Sequence, residues 1–238
     1  MTVARENTSA FERWRAATLA PFSHRAFALF WWASLISSFG SLIQTVGASW
    51  LMTTIAPSTD MIALVQTAGA LPFFFLSLLA GAFADTRDRR ATMIFSQLLM
   101  LVASAALAAI TLAGAISPAL LLGLTFLIGC GTAIFAPAWQ SSISELVPRT
   151  QIASAVMANA VGFNLARSIG PAIGGVLVAA AGAAVSFVVN ALSYIGMLAV
   201  VIWWRPQRVR GGLPPEPLGS AISAGIRYAF LPKMKPGS

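Results

Sequence analysis

Long uncharged stretches alternate with short charged clusters along the 238 residues of the chain. From Ala26 to Thr59 no side chain is charged, and between Arg90 and Glu145 lie 54 uncharged residues. A helix needs about 20 apolar residues to cross hydrocarbon, so at about 1.5 Å rise per residue the second stretch is too long for one crossing and must turn around. Glycine and proline punctuate helices, which puts the break at Gly114 to Pro118. The pattern predicts an all-α membrane protein with one six-helix bundle over residues 26–204, its spans at about 26–51, 61–84, 91–113, 119–140, 153–180 and 184–204. A charged segment, 1–25, precedes the bundle, and a Pro- and Gly-rich tail, 205–238, follows it with a short helical stretch near Leu218 to Phe230. Arg5, Glu6, Glu12, Arg13 and Arg15 lead into an apolar stretch far longer than the about 7 to 15 residues of a signal-peptide core, so it stays in the membrane as the first helix.

Composition agrees with a bilayer rather than water as the surroundings. Apolar residues make up 58% of the chain and charged ones 9%, against roughly 25% charged in soluble domains. The formal charge of +8 raises nucleic-acid binding as a possibility, and placement excludes it, because the basic residues stand singly or in twos and threes beside apolar spans. Four Lys or Arg precede the first span, three separate spans two and three, one separates four and five, and six follow the sixth. The loops on the other side hold none. By the positive-inside rule the N-terminus and these segments are cytoplasmic. The single cysteine, Cys130, excludes an internal disulfide framework and a CxxC metal site.

The remaining basic residue, Arg167, falls near the middle of the fifth span, where a permanently ionised guanidinium is costly unless it faces a cavity or a partner. Asn164, Arg167, Pro171 and Gly174 recur at helical spacing, so one face is expected to carry an amide, a charge and little bulk. Gly170, Pro171, Gly174 and Gly175 combine a small-xxx-small spacing, suited to close helix contact, with a proline that favours a bend. The loop from Gly81 to Arg90 offers Asp85 as an acceptor toward a helix N-terminus and Arg87, Arg89 and Arg90 as partners for carboxylates or lipid headgroups. A topology anchor is the alternative reading of that loop. Gln44 and Asn190 are candidate cavity residues among several polar groups within spans, which include Gln66, Gln97, Thr125, Asn159 and Tyr194. No acidic residue lies inside a predicted span, and no phosphate loop, metal cluster or GxSxG nucleophile occurs, so neither an enzyme nor a bound cofactor is expected.

The loop Gly81-Ala-Phe-Ala-Asp85-Thr-Arg87-Asp88-Arg89-Arg90 resembles the signature between helices two and three of the major facilitator superfamily, and Ala166 to Gly175 resembles the helix-five motif of its antiporters. Phe135-Ala-Pro-Ala-Trp139-Gln140, Glu145-Leu-Val-Pro-Arg149 and Asn164-Leu-Ala-Arg167-Ser-Ile-Gly-Pro171 are similar to the transmembrane secretion effector subgroup that includes the enterobactin exporter. Asp88 departs from the superfamily glycine, Ala166 from the first glycine of the helix-five motif, and Thr125 from the basic helix-four residue of many drug/proton antiporters. The resemblance implies the N-terminal six-helix half of a major facilitator fold in a bacterial inner membrane, exporting a small siderophore-like or drug-like molecule by alternating access. Gly81, Asp85, Arg89 and Arg90 would then stabilise the outward-facing arrangement through contacts with the other half. The expected partners are that substrate, the lipid bilayer, and a second copy or a separate C-terminal half, with an inactive truncated fragment as the alternative.

Overall fold

A computed structural model describes residues 18–205 apart from 57, 59 and 85–87. Six long helices account for most of it: α1 (Arg25–Ile55), α2 (Asp60–Ala84), α3 (Arg89–Leu112), α4 (Pro118–Leu146), α5 (Ile152–Ala181) and α6 (Ala183–Trp203), with short 3-10 turns at Ala20–Ser23 and Arg149–Gln151. Five of them, α1 and α3 to α6, are long and apolar enough to cross a membrane, and α2 is apolar from Asp60 to Phe75.

Local chemistry sets the helix ends. Gly114, at φ 69°, and Gly182, at φ 80°, occupy the left-handed region and end α3 and α5 in tight turns. Ser117 caps α4, its hydroxyl accepting from the Leu120 N–H at 3.3 Å, with Pro118 opening the helix. Asp88 caps α3 by accepting from the Arg90 N–H at 3.0 Å. The fourth helix does not stop at Gln140. It continues to Leu146, where Ile143 and Leu146 bury against the core, and the Ser141, Ser142 and Ser144 hydroxyls are satisfied by carbonyls of their own helix.

The helices pack as two interlocked triplets. α1 lies against α5 and α6, α4 lies against α2 and α3, and α3 meets α6. Exchanging α1 with α4, α2 with α5 and α3 with α6 leaves this set of neighbours unchanged, the geometry of a three-plus-three repeat that no residue-level similarity in the chain announces. Phe30 ties one end of the core together, stacked on Trp139 with centroids 5.2 Å apart and edge-on to Trp204 at 5.4 Å. Met52, Leu107, Leu121 and Phe187 fill the other end. Outward, Trp50, Phe74, Val102 and Val176 stand exposed, as expected where lipid is the solvent.

Candidate functional site

Inside this apolar shell α1, α3 and α6 share a buried polar cluster. Ser104 Oγ donates to Gln44 Oε1 at 2.6 Å, and Asn190 Nδ2 donates to the same oxygen at 2.7 Å and to Tyr194 Oη at 3.1 Å. Tyr194 Oη lies 3.3 Å from Ser41 Oγ, and Ser193 Oγ donates to the Asn190 carbonyl at 2.7 Å. Unpaired, each such group would be costly away from water. Paired, they hold three helices in one register. The Ser104 hydroxyl also lies 3.0 Å from the Phe187 carbonyl, which ties α3 to α6 directly.

That cluster forms the floor of a cleft of about 580 Å³ bounded by α1, α2, α4, α5 and α6. Gln44 and Asn190 line it, together with Gln66, Thr125, Thr132 and Arg167. A second cleft of about 390 Å³ runs on along α1, α4 and α5 past Ser38, Trp139, Gln140 and Asn159. Thr132 and Phe163 border both, so these two side chains mark the narrow place between them. Both clefts are of a size that accepts small organic ligands.

The candidate residues of α5 divide between two faces. Gly162, Ala166, Gly170, Gly174 and Val178 are buried at a spacing of four, forming the ridge that packs on α1. A Cβ at Gly170 would lie 3.0 Å from Leu42 Cβ, and one at Gly174 would lie 3.1 Å from Ile43 Cα, which requires small residues at both. Asn164, Arg167, Pro171 and Gly175 are exposed in this bundle. The single face expected to hold Asn164, Arg167, Pro171 and Gly174 is therefore split, because contact with α1 selects the residues four apart. Arg167 lines the larger cleft, whereas Asn164 donates to the Ala160 carbonyl of its own helix at 2.9 Å.

Gly81 sits in the last turn of α2, while Asp85 and Arg87 lie outside the described residues. Arg89 and Arg90 both have partners within the bundle. Arg89 pairs with Glu145 Oε1 at 2.9 Å and donates to the Ser141 carbonyl at 3.1 Å, joining α3 to α4. Arg90 donates to the Val201 carbonyl at 3.1 Å and to the Ile202 carbonyl at 2.6 Å. These are among the last carbonyls of α6, which lack helical partners and carry the negative end of the helix dipole. Arg90→Ala is expected to lower stability by about 1–2 kcal/mol, read as a lower melting temperature in detergent. Arg90→Lys should recover part of the loss. Ser104, Phe163 and Thr132 escaped sequence reasoning: their roles come from helices far apart in the chain, and nothing in their local sequence marks them.

The fold is that of an all-α membrane protein with polar-lined clefts inside its helical bundle. The profile of the transmembrane secretion effector family matches residues 16–234, and the chain belongs to that family of major facilitator (MFS) transporters. It is 28% identical over 182 residues to an uncharacterised MFS-type transporter, YfiS, of Bacillus subtilis, covering 75% of this chain and 42% of that protein. Over 69% of this chain and 42% of the relative it is 27% identical to a staphyloferrin A transporter of Staphylococcus aureus. Over 82% of this chain and 48% of the relative it is 30% identical to a multidrug efflux pump, Tap, of Mycolicibacterium fortuitum. The chain thus spans less than half the length of each of these three curated relatives.

Proposed function

We propose that this chain forms one half of a secondary transporter that exports a small organic molecule by alternating access. The observation that carries the reading is the pair of adjoining clefts, lined by amides, hydroxyls and one guanidinium, in a bundle whose outer surface is apolar. A soluble partner surface has no use for such a lining, and a lipid-facing one would be penalised by it. All six helices would cross a bacterial inner membrane, with the N-terminus and the 81–90 loop cytoplasmic, in line with the distribution of Lys and Arg. The second half of the pathway would come from another copy or a separate C-terminal half, since sites of this kind are built between halves. Gly81, Asp85 and Arg87 would act at the junction of the halves. Arg89 and Arg90 would act with them by tying α3 to α4 and α6, so that the three helices move as a unit. The ridge at Gly170 and Gly174 keeps α5 close on α1, with Pro171 and Gly175 beside it on the exposed face. Siderophore-like and drug-like substrates are favoured by the names of the similar proteins. Neither the fold nor the comparisons support an inactive fragment.

Deleting the gene and restoring it under an inducible promoter tests this reading. Cells lacking it should retain more of an exported dye such as ethidium, or release less siderophore, than restored cells. Equal retention and equal release in both strains would refute export.

A further inference from the structure

We infer that the larger cleft binds an anionic group, a carboxylate or phosphate, of the molecule the protein transports; the inference rests on the transporter reading and adds a substrate class to it. Arg167 makes no salt bridge or hydrogen bond among the described residues, although it lines a cleft inside a membrane bundle. The described acidic groups are remote from any such role: Asp60 and Asp88 stand at the starts of α2 and α3, and Glu145 is held by Arg89. A guanidinium stays charged at all working pH values and seeks planar oxyanions in bidentate geometry.

Independent of the charge, uncommitted donors stand beside it, although Gln66 Oε1 is an acceptor without a partner among the described residues in the same lining. Gln44 is only 4% exposed, and its Oε1 already accepts from Ser104 and Asn190. Its Nε2 makes no hydrogen bond among the described residues, so the NH2 group is the end of this amide left for the cleft. Thr125, on α4 in the lining of the same cleft, has its Oγ1 buried without a partner among the described residues. By contrast the Thr45 and Thr132 hydroxyls are taken up by carbonyls of their own helices. The guanidinium of Arg167 and the NH2 group of Gln44 thus face one space in which no described carboxylate receives them. An oxyanion on the ligand supplies acceptors and the countercharge together, whereas a neutral ligand supplies acceptors alone and a cationic one is repelled.

The test is equilibrium binding of two fluorescent probes that differ only in charge, dansylglycine and dansylglycinamide, to the protein produced from its own gene and purified in neutral dodecyl maltoside. Trp31 and Trp139 border the adjoining cleft and sensitise dansyl emission. Dansylglycine is expected to bind about tenfold more tightly than the amide, and Arg167→Gln should erase the preference. Arg167→Lys, which keeps the charge, should retain part of it. Thr125→Val should weaken the acid about threefold at unchanged melting temperature. Equal binding of the two probes, or a preference that survives Arg167→Gln, overturns the inference. So does Arg167-dependent binding of phosphatidylglycerol without any preference for the acid probe, which would assign the site to a lipid headgroup. A lower melting temperature for Arg167→Gln combined with equal probe binding assigns Arg167 to a protein carboxylate, which also overturns it. None of these readouts requires turnover, so the inference fails without touching the export reading, which the deletion experiment addresses separately.

Discussion

Arg167→Ala is expected to bring export down to the level of the gene deletion while the amount of protein in the membrane is unchanged or higher. The two halves of that expectation have separate causes. Arg167 is exposed within the bundle and has no partner among the described residues, so truncation removes no packing and leaves no buried group unpaired. Insertion should become easier, because an arginine at the centre of a spanning helix costs about 2.5–3.5 kcal/mol on the scale set by cellular insertion. Loss of function then reports on the cleft alone. Asn164→Ala is the matched control one turn away: its amide is spent on the Ala160 carbonyl of its own helix, and export should hardly change. Transport assays on equal amounts of membrane protein check both variants. Export by Arg167→Ala at the unsubstituted rate would remove this residue from the pathway, and equal loss in both variants would point to a general weakness of α5.

The membrane class of the fold is legible in the sequence because the bilayer acts on every residue. Uncharged stretches long enough to span, separated by short charged clusters, are consequences of a solvent that excludes charge. The same reasoning marks Arg167, whose cost makes it conspicuous at any position within a span. What it does not mark is partnership. Gln44 bonds to Ser104 and to Asn190, 60 and 146 residues away in the chain, and Ser104 stands in an alanine-rich run that looks like any packed helix. On α5 the motif of small residues is visible, yet which of them meet α1 depends on the rotation of the helix. The choice falls on Gly170 and Gly174 and passes over Pro171 and Gly175. Arg90 is similar: its charge suggests a headgroup or an acidic partner, while the structure gives it the free carbonyls at the end of α6. Helix ends and charges are local properties, and contacts between helices are not.

Gly129 illustrates how much a contact of that kind controls. It carries no sequence signal beyond being one of 19 glycines, yet it sits where α4 crosses α2. A Cβ added there would lie 2.5 Å from the Gly69 carbonyl oxygen and 3.0 Å from Pro72 Cγ. Neither neighbour can yield, since one is backbone and the other a ring locked inside a helix. Gly129→Val should therefore push α2 off α4. Overpacking a well-filled interior costs about 1–3 kcal/mol even where side chains can adjust, and this case leaves only backbone movement. Membrane helices associate mainly through such close packing, so little else holds the pair together. The expected result is a melting temperature lowered by several degrees in detergent and a reduced yield of monodisperse protein, with Gly129→Ala milder. Because Gly69 and Gly129 both line the larger cleft, the surviving protein should also lose probe binding. Two controls isolate the cause. A Cβ at Gly123, on the same helix, meets nothing within 4 Å, and one at Gly69 has Thr125 Cγ2 at 3.8 Å as its nearest neighbour, so Gly123→Val and Gly69→Ala should both melt near the unsubstituted protein. If Gly129→Val melts with them, α2 and α4 do not approach this closely, and the wall of the cleft that they build would have to be redrawn.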